Sequence, residues 1–215
     1  MPLLCVTVTA PTTAELRRRR DDAATDADIV ELRLDSVSDP DVAGALAGRR
    51  GPVIVTCRPT WEGGRFGGSE DERRRLLVEA IALDAEYVDV EWRAGFGDLL
   101  TQTGGRRIVL SSHDFSGVPG DLVERVRTMR ATVAEGVKVA GRTDRLADCV
   151  PLLDLGAQMG QGGGYVGIGM GECGLATRVL AGRFGSMWTY AGTEHQVGQI
   201  TATSLLNEYH FRGLT

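Results

Sequence analysis

The chain has almost no lysine. Its Lys+Arg total is 24, and Lys138 is the only lysine; the other 23 basic residues are arginine. Arginine keeps its proton in proteins, so it serves wherever a fixed positive charge suffices. Cysteine is also sparse. The 4 cysteines, Cys5, Cys57, Cys149 and Cys173, are scattered with no CxxC pair. That spacing argues against a metal site or a disulfide framework and points to a reduced, cytoplasmic setting. No apolar run approaches the ~18 residues of a membrane span, and no signal-peptide pattern opens the chain. A positive excess is missing too. The net charge of -5 argues against general nucleic-acid binding.

What is present is an ordinary globular composition in 215 residues, enough for one domain with a substantial core. The hydrophobic pattern alternates strand and helix from end to end. Strands are predicted over 3–9, 28–34, 53–57, 87–90, 107–111, 136–139, 165–168 and 185–190. Helices follow them: one capped by Thr12 or Thr13 and carrying the solvated run Arg17 to Arg20, one opening at Asp39-Pro40, one over 70–83 and a short one near Asp98. Four more are predicted at 119–130, 143–155, 174–181 and 201–209. Eight such units fit a compact (β/α)8 TIM barrel better than an open doubly wound sheet, although such barrels typically run to ~250 residues. The 29 glycines cluster after apolar runs, where lean loops need tight turns.

In a barrel of this kind the active site lies at the C-terminal ends of the strands. Charged residues collect there: Glu31, Arg33 and Asp35 at the end of strand two, Arg58 and Glu62 after strand three, Asp89 and Glu91 at the end of strand four. Strand five ends Ser111-Ser112-His113-Asp114-Phe115, strand six carries Lys138, Arg178 follows strand seven, and Gln199 follows strand eight. Bland readings exist for each. Lys138 could snorkel to water, Glu31 and Arg33 could be an ion pair, Glu91 a loop cap, His113 a satisfied turn residue and Arg178 a surface residue. Together they suggest one chemistry. A buried lysine can lose its proton and form an imine with a ketone, which acidifies the neighbouring C–H. A histidine can take that proton. Arginines bind a carboxylate, while glutamate and glutamine hold hydroxyls. Arg33, Arg58 and Arg178 are expected to make the pocket positive. The implied substrate is a small polyhydroxylated keto-acid that loses water.

The ordered set of Glu31-Leu32-Arg33-Leu34-Asp35, Thr56-Cys57-Arg58-Pro59, Glu62-Gly63-Gly64, Ser111-Ser112-His113-Asp114-Phe115, Lys138-Val139-Ala140, Thr177-Arg178, Phe184-Gly185-Ser186 and Gly198-Gln199 resembles the type I 3-dehydroquinate dehydratases of the shikimate pathway. The resemblance covers nearly the whole chain. It implies a barrel without metal or cofactor. Lys138 would form the Schiff base with 3-dehydroquinate, His113 would move the proton, and Glu62 would orient His113. Arg178 would grip the carboxylate, and Glu31, Arg33, Arg58 and Gln199 would hold hydroxyls and ring. A homodimer and a fused or separate shikimate dehydrogenase are the implied partners.

Three departures from that family pattern stand out. The chain starts at barrel strand one, with no N-terminal hairpin to close the floor, so the floor must be sealed otherwise or be less stable. The loop before Gln199 is slightly shorter than usual, and the family's serine, alanine and proline are replaced by a stretch containing His195, which is expected to be exposed. The tail over 205–215 resembles the segment leading into a shikimate dehydrogenase domain. Two rival readings are another lysine-imine barrel such as a class I aldolase, and a non-catalytic sensor that binds dehydroquinate.

Overall fold

Strand and helix alternate as the pattern predicts. The structure, a computed structural model, describes residues 2–159, 163–193 and 197–213. The strands are β1 (Leu3–Val8), β2 (Ile29–Arg33), β3 (Val53–Thr56), β4 (Tyr87–Glu91), β5 (Ile108–Asp114), β6 (Gly136–Arg142), β7 (Tyr165–Met170) and β8 (Trp188–Ala191). The helices are α1 (Thr13–Ala23), α2 (Val42–Leu46), α3 (Glu70–Ala82), α4 (Gly97–Thr103), α5 (Leu122–Arg130), α6 (Val150–Met159) and α7 (Leu175–Val179). The strands form one parallel sheet in the order β7-β6-β5-β4-β3-β2-β1-β8. The seam between β7 and β8 is bridged by the Met187 N–H donating to the Tyr165 carbonyl at 2.8 Å and the Gly167 N–H donating to Ser186 Oγ at 3.2 Å. This is the predicted (β/α)8 barrel, nearly closed. No helix among the described residues is long and apolar enough to cross a membrane.

The strand period of two divides the core. Outward residues such as Val30, Leu32, Val53, Val55, Val88 and Val90 pack against the helices. Inward residues fill the barrel in layers. At the floor, Trp188 is fully buried with its ring 5.3 Å from that of Tyr87, and Ile29, Ile54 and Val109 belong to the same interior cluster. The floor is therefore sealed by aromatic side chains of the barrel itself. Towards the C-terminal ends the inward residues turn polar. The register sets Thr7 beside Glu31, Thr56 beside Asp89 and Ser111 beside Lys138.

Several predicted boundaries shift for local reasons. The second helix opens at Val42, because Asp41 caps it by accepting the Gly44 N–H at 2.9 Å. Asp39 instead accepts the Thr13 N–H at 2.8 Å and ties that loop to α1. The sixth and seventh strands run on to Arg142 and Met170, since the glycines there continue the ladder (Gly141 beside Gly169) rather than turn. The eighth strand starts at Trp188 rather than 185, because Gly185 is a turn residue with φ +74°. The arginine run is not uniformly solvated. Arg20 shares the inner face of α1 with Thr13 and Leu16, is only 2 % exposed, and donates to the carbonyls of Ala45 and Ala47 at the end of α2.

After β8 the chain makes a π-helical turn, Ser204–Glu208, and a short 3-10 turn, Phe211–Gly213. Leu205 and Phe211 are buried with Leu4, Ala181 and Ala191, and Arg212 pairs with Asp28 at 3.0 Å. Leu205, Phe211 and Arg212 thus tie the described part of the tail to the barrel.

Candidate active site

A pocket at the C-terminal ends of the strands holds about 610 Å³ of empty space, the open mouth included. All eight residues singled out from the sequence line it: Lys138, His113, Glu62, Glu31, Arg33, Arg58, Arg178 and Gln199. His195 lies outside the described residues.

Lys138 is held inward by the β6 register and is 5 % exposed, so it does not snorkel to water. Its Nζ donates to Asp89 Oδ2 at 2.8 Å and to Tyr190 Oη at 3.3 Å, and lies 3.6 Å from Glu31 Oε1. The sequence suggested arginines as its electrostatic neighbours, but its direct ionic partners are carboxylates. Asp89 and Glu31 stand at inward positions whose carboxylates reach Nζ, while the Arg58 guanidinium is itself taken up by Asp89 and Glu91 and Arg33 by Asp35.

Asp89 is the centre of a buried network. Burial alone would raise its pKa, yet Arg58 and Lys138 outweigh that and hold the carboxyl well below the usual range. Arg58 donates to Asp89 Oδ1 at 2.8 Å, to Glu91 Oε1 at 2.7 Å and to Ser111 Oγ at 2.8 Å. Glu91, far from capping a loop, is 1 % exposed and also accepts from Arg73, which packs against Trp61 and Phe96. Both terminal nitrogens of Arg58 are thus committed to the network behind Lys138. Glu31 and Arg33 are held separately: Thr7 and Thr56 hydroxyls donate to Glu31 at 2.8 and 2.9 Å, and Arg33 donates to Asp35 at 2.8 and 2.7 Å.

His113 faces this cluster from β5. Its Nδ1 lies 2.9 Å from Glu62 Oε1, and the same oxygen accepts the His113 backbone N–H at 2.9 Å. Burial, then Arg58 and Lys138, pushes the imidazole well below its ordinary pKa, so it is neutral at neutral pH. Burial pushes Glu62 up to about 7 despite the opposing Arg58. A neutral ring donating from Nδ1 to Glu62 leaves Nε2 as a free base. Gly63 makes the delivery possible. Its φ is +78°, and a Cβ there would sit 2.2 Å from the Phe115 ring, which folds over the loop.

Arg178 is 2 % exposed rather than on a helix surface. Its terminal nitrogens donate to the carbonyls of Val197 at 2.9 Å, Tyr190 at 3.3 Å and Gly169 at 3.5 Å, and its Nε has no partner. Among the described residues no carboxylate pairs with it, and burial lowers it to about 10. A buried guanidinium in that condition favours an anion. Gln199 closes the rim, its amide packed so tightly on Gly192 that a Cβ there would meet Oε1 at 2.1 Å.

Sequence reasoning did not assign roles to Asp89, Ser111, Tyr190 or Thr7. The signal was available: each stands at an inward position of its strand, at the level of Lys138 or just above it.

The arrangement can place a ketone at an amine, a C–H at a neutral base and a carboxylate at a guanidinium. Comparison with known proteins gives the relatives of the chain. The chain is 37% identical over 196 residues to the 3-dehydroquinate dehydratase of Methanothermobacter thermautotrophicus, covering 87% of this chain and 86% of that one. It is 32% identical over 201 residues to the bifunctional 3-dehydroquinate dehydratase/shikimate dehydrogenase of Arabidopsis thaliana, covering 86% of this chain but spanning only 33% of that relative. The solved 3-dehydroquinate dehydratase of Geobacillus kaustophilus superposes with a TM-score of 0.84 at 26% identity, covering 98% of this chain and 91% of that one. The family profile described as type I 3-dehydroquinase matches residues 4–215, and with the pocket it fits, this places the chain in the type I 3-dehydroquinase family.

Proposed function

We propose that the protein is a hydro-lyase that converts 3-dehydroquinate to 3-dehydroshikimate through an imine on Lys138. Lys138 Nζ attacks the C3 ketone and water leaves, giving an iminium. The iminium draws electrons from the C2–H bond, and His113 Nε2 takes that proton. The C–C double bond forms as the C1 hydroxyl departs, protonated by His113, and hydrolysis of the product imine restores the lysine. Glu62 keeps the His113 ring oriented. Arg178 receives the substrate carboxylate, and Glu31, Arg33 and Gln199 meet hydroxyls and ring. Arg58 acts chiefly through Asp89, Glu91 and Ser111. The reading rests on one observation: a single pocket joins the sole lysine, an oriented neutral histidine and a buried arginine that has no carboxylate partner among the described residues.

A cytoplasmic homodimer is the expected form, which sedimentation would test. The product would pass to a shikimate dehydrogenase, separate or joined beyond residue 205, as that activity is in the bifunctional Arabidopsis relative.

Borohydride reduction of the protein with 3-dehydroquinate, read by intact mass and peptide mapping, is the test. The expected result is a dehydrated adduct on Lys138, and an adduct that has kept its water in His113→Ala. A wild-type adduct that keeps its water would remove the elimination, leaving another imine enzyme such as an aldolase. Binding without any adduct would leave the sensor reading.

A further inference from the structure

Tyr190 is buried on β8 and takes no part in the steps above. Its hydroxyl lies 3.3 Å from Lys138 Nζ, and Nζ is 4.6 Å from the ring centroid. The ring is fixed in place by its strand and by Trp188, which stands edge-on at 6.4 Å. The hydrogen bond has a direction. Nζ donates and Tyr190 Oη accepts, so the phenol hydrogen is left to be given elsewhere. Among the described residues no acceptor receives it, and Tyr190 lines the pocket. The other polar neighbours of Nζ are the carboxylates of Asp89 and Glu31, which when ionised only accept. Tyr190 is the one described neighbour of the amine that can accept a proton and donate one at once.

We propose that Tyr190 is a further catalytic residue, whose phenol relays protons from the Lys138 amine to the ketone oxygen that leaves as water. The inference rests on the imine reading. Counted from an ammonium and a ketone, an iminium and water require two protons to pass from nitrogen to oxygen. As the N–C bond forms, the C=O electron pair moves to oxygen. Oη takes a proton from Nζ and passes its own to that oxygen, ending neutral. A second pass protonates the resulting hydroxyl, the C–O bond breaks, and the nitrogen lone pair closes the iminium. Run backwards, the same relay hydrolyses the product imine. Burial, then the charge of Glu31, holds the phenol well above its ordinary pKa, which suits a neutral relay. His113 is thereby left free for the proton at C2.

Tyr190→Phe keeps the ring and its packing and removes only the hydroxyl. Wild type and variant are mixed with 3-dehydroquinate, quenched with borohydride over time, and scored for mass on Lys138. The isotope effect on kcat is measured with substrate deuterated at C2. The expected result is labelling slowed about 100-fold, with the isotope effect falling towards unity because imine formation has become limiting. Labelling at the wild-type rate, or a fall in kcat with the isotope effect undiminished, would overturn the relay and leave the imine mechanism standing. Absence of any Lys138 adduct in the wild type would overturn both.

Discussion

Replacing Arg178 by methionine should raise the stability of the empty protein and ruin its affinity for substrate. The lowering of Arg178 to about 10 by burial puts the penalty on its charged form at about 3 kcal/mol. The folded value lies below the unfolded one, so stability from this group rises only as pH climbs above about 10. At neutral pH the full penalty is present. Methionine retains much of the stem and loses three contacts to carbonyls. Only the one to Val197, at 2.9 Å, is short, and the others are 3.3 and 3.5 Å. Their loss costs about 2 kcal/mol. The net gain is about 1 kcal/mol, which for a chain of this size raises Tm by about 2–4 °C. Binding moves the other way. A substrate carboxylate deprived of a buried, charge-assisted partner loses about 3 kcal/mol, on the order of 100-fold in affinity. Tm is read by thermal scanning without ligand. Affinity for 3-dehydroquinate is read in a His113→Ala background, so that turnover does not consume the ligand. A lower Tm with affinity changed only a few-fold would refute the reasoning and make Arg178 a structural residue.

Two further outcomes follow from the same geometry. Above its pKa of about 7, Glu62 is a carboxylate that accepts the His113 Nδ1–H; below it, the acid form donates to Nδ1 and shifts the ring proton to Nε2. Hence kcat/KM should fall as pH drops through about 7, and Glu62→Gln should be slower but without that limb. A wild-type profile flat between about pH 6 and 8 would contradict this. Trp188→Ala should cost ~3–5 kcal/mol in chemical denaturation, because it empties the barrel floor; a loss under ~1 kcal/mol would mean that other side chains seal it.

The barrel and its eight pocket residues were legible because they depend on patterns local to a few residues: strand parity, apolar runs and charges at strand ends. What escaped depends on which side chains meet across strands. Asp89 looked like one of two acids in β4, and only the register with β3 and β5 sets it between Arg58 and Lys138. Tyr190 went unassigned, since an aromatic in a strand carries no mark of what its hydroxyl will touch. Arg20 was hidden in a run of like residues, of which the helical period selects one for burial. Arg58 was visible as a site residue, but its commitment to buried carboxylates was not.

Because Lys138 is the only lysine side chain and sits at the base of the pocket, the protein carries its own spectroscopic reporter. Lysine labelled with nitrogen-15 at the ζ position would yield one side-chain resonance, and it would come from the reacting atom. Its chemical shift would register the surroundings of the amine, and addition of substrate would replace it with that of an imine. The reacting atom could thus be followed in the unmutated enzyme, without a chemical tag and without other lysine signals to resolve.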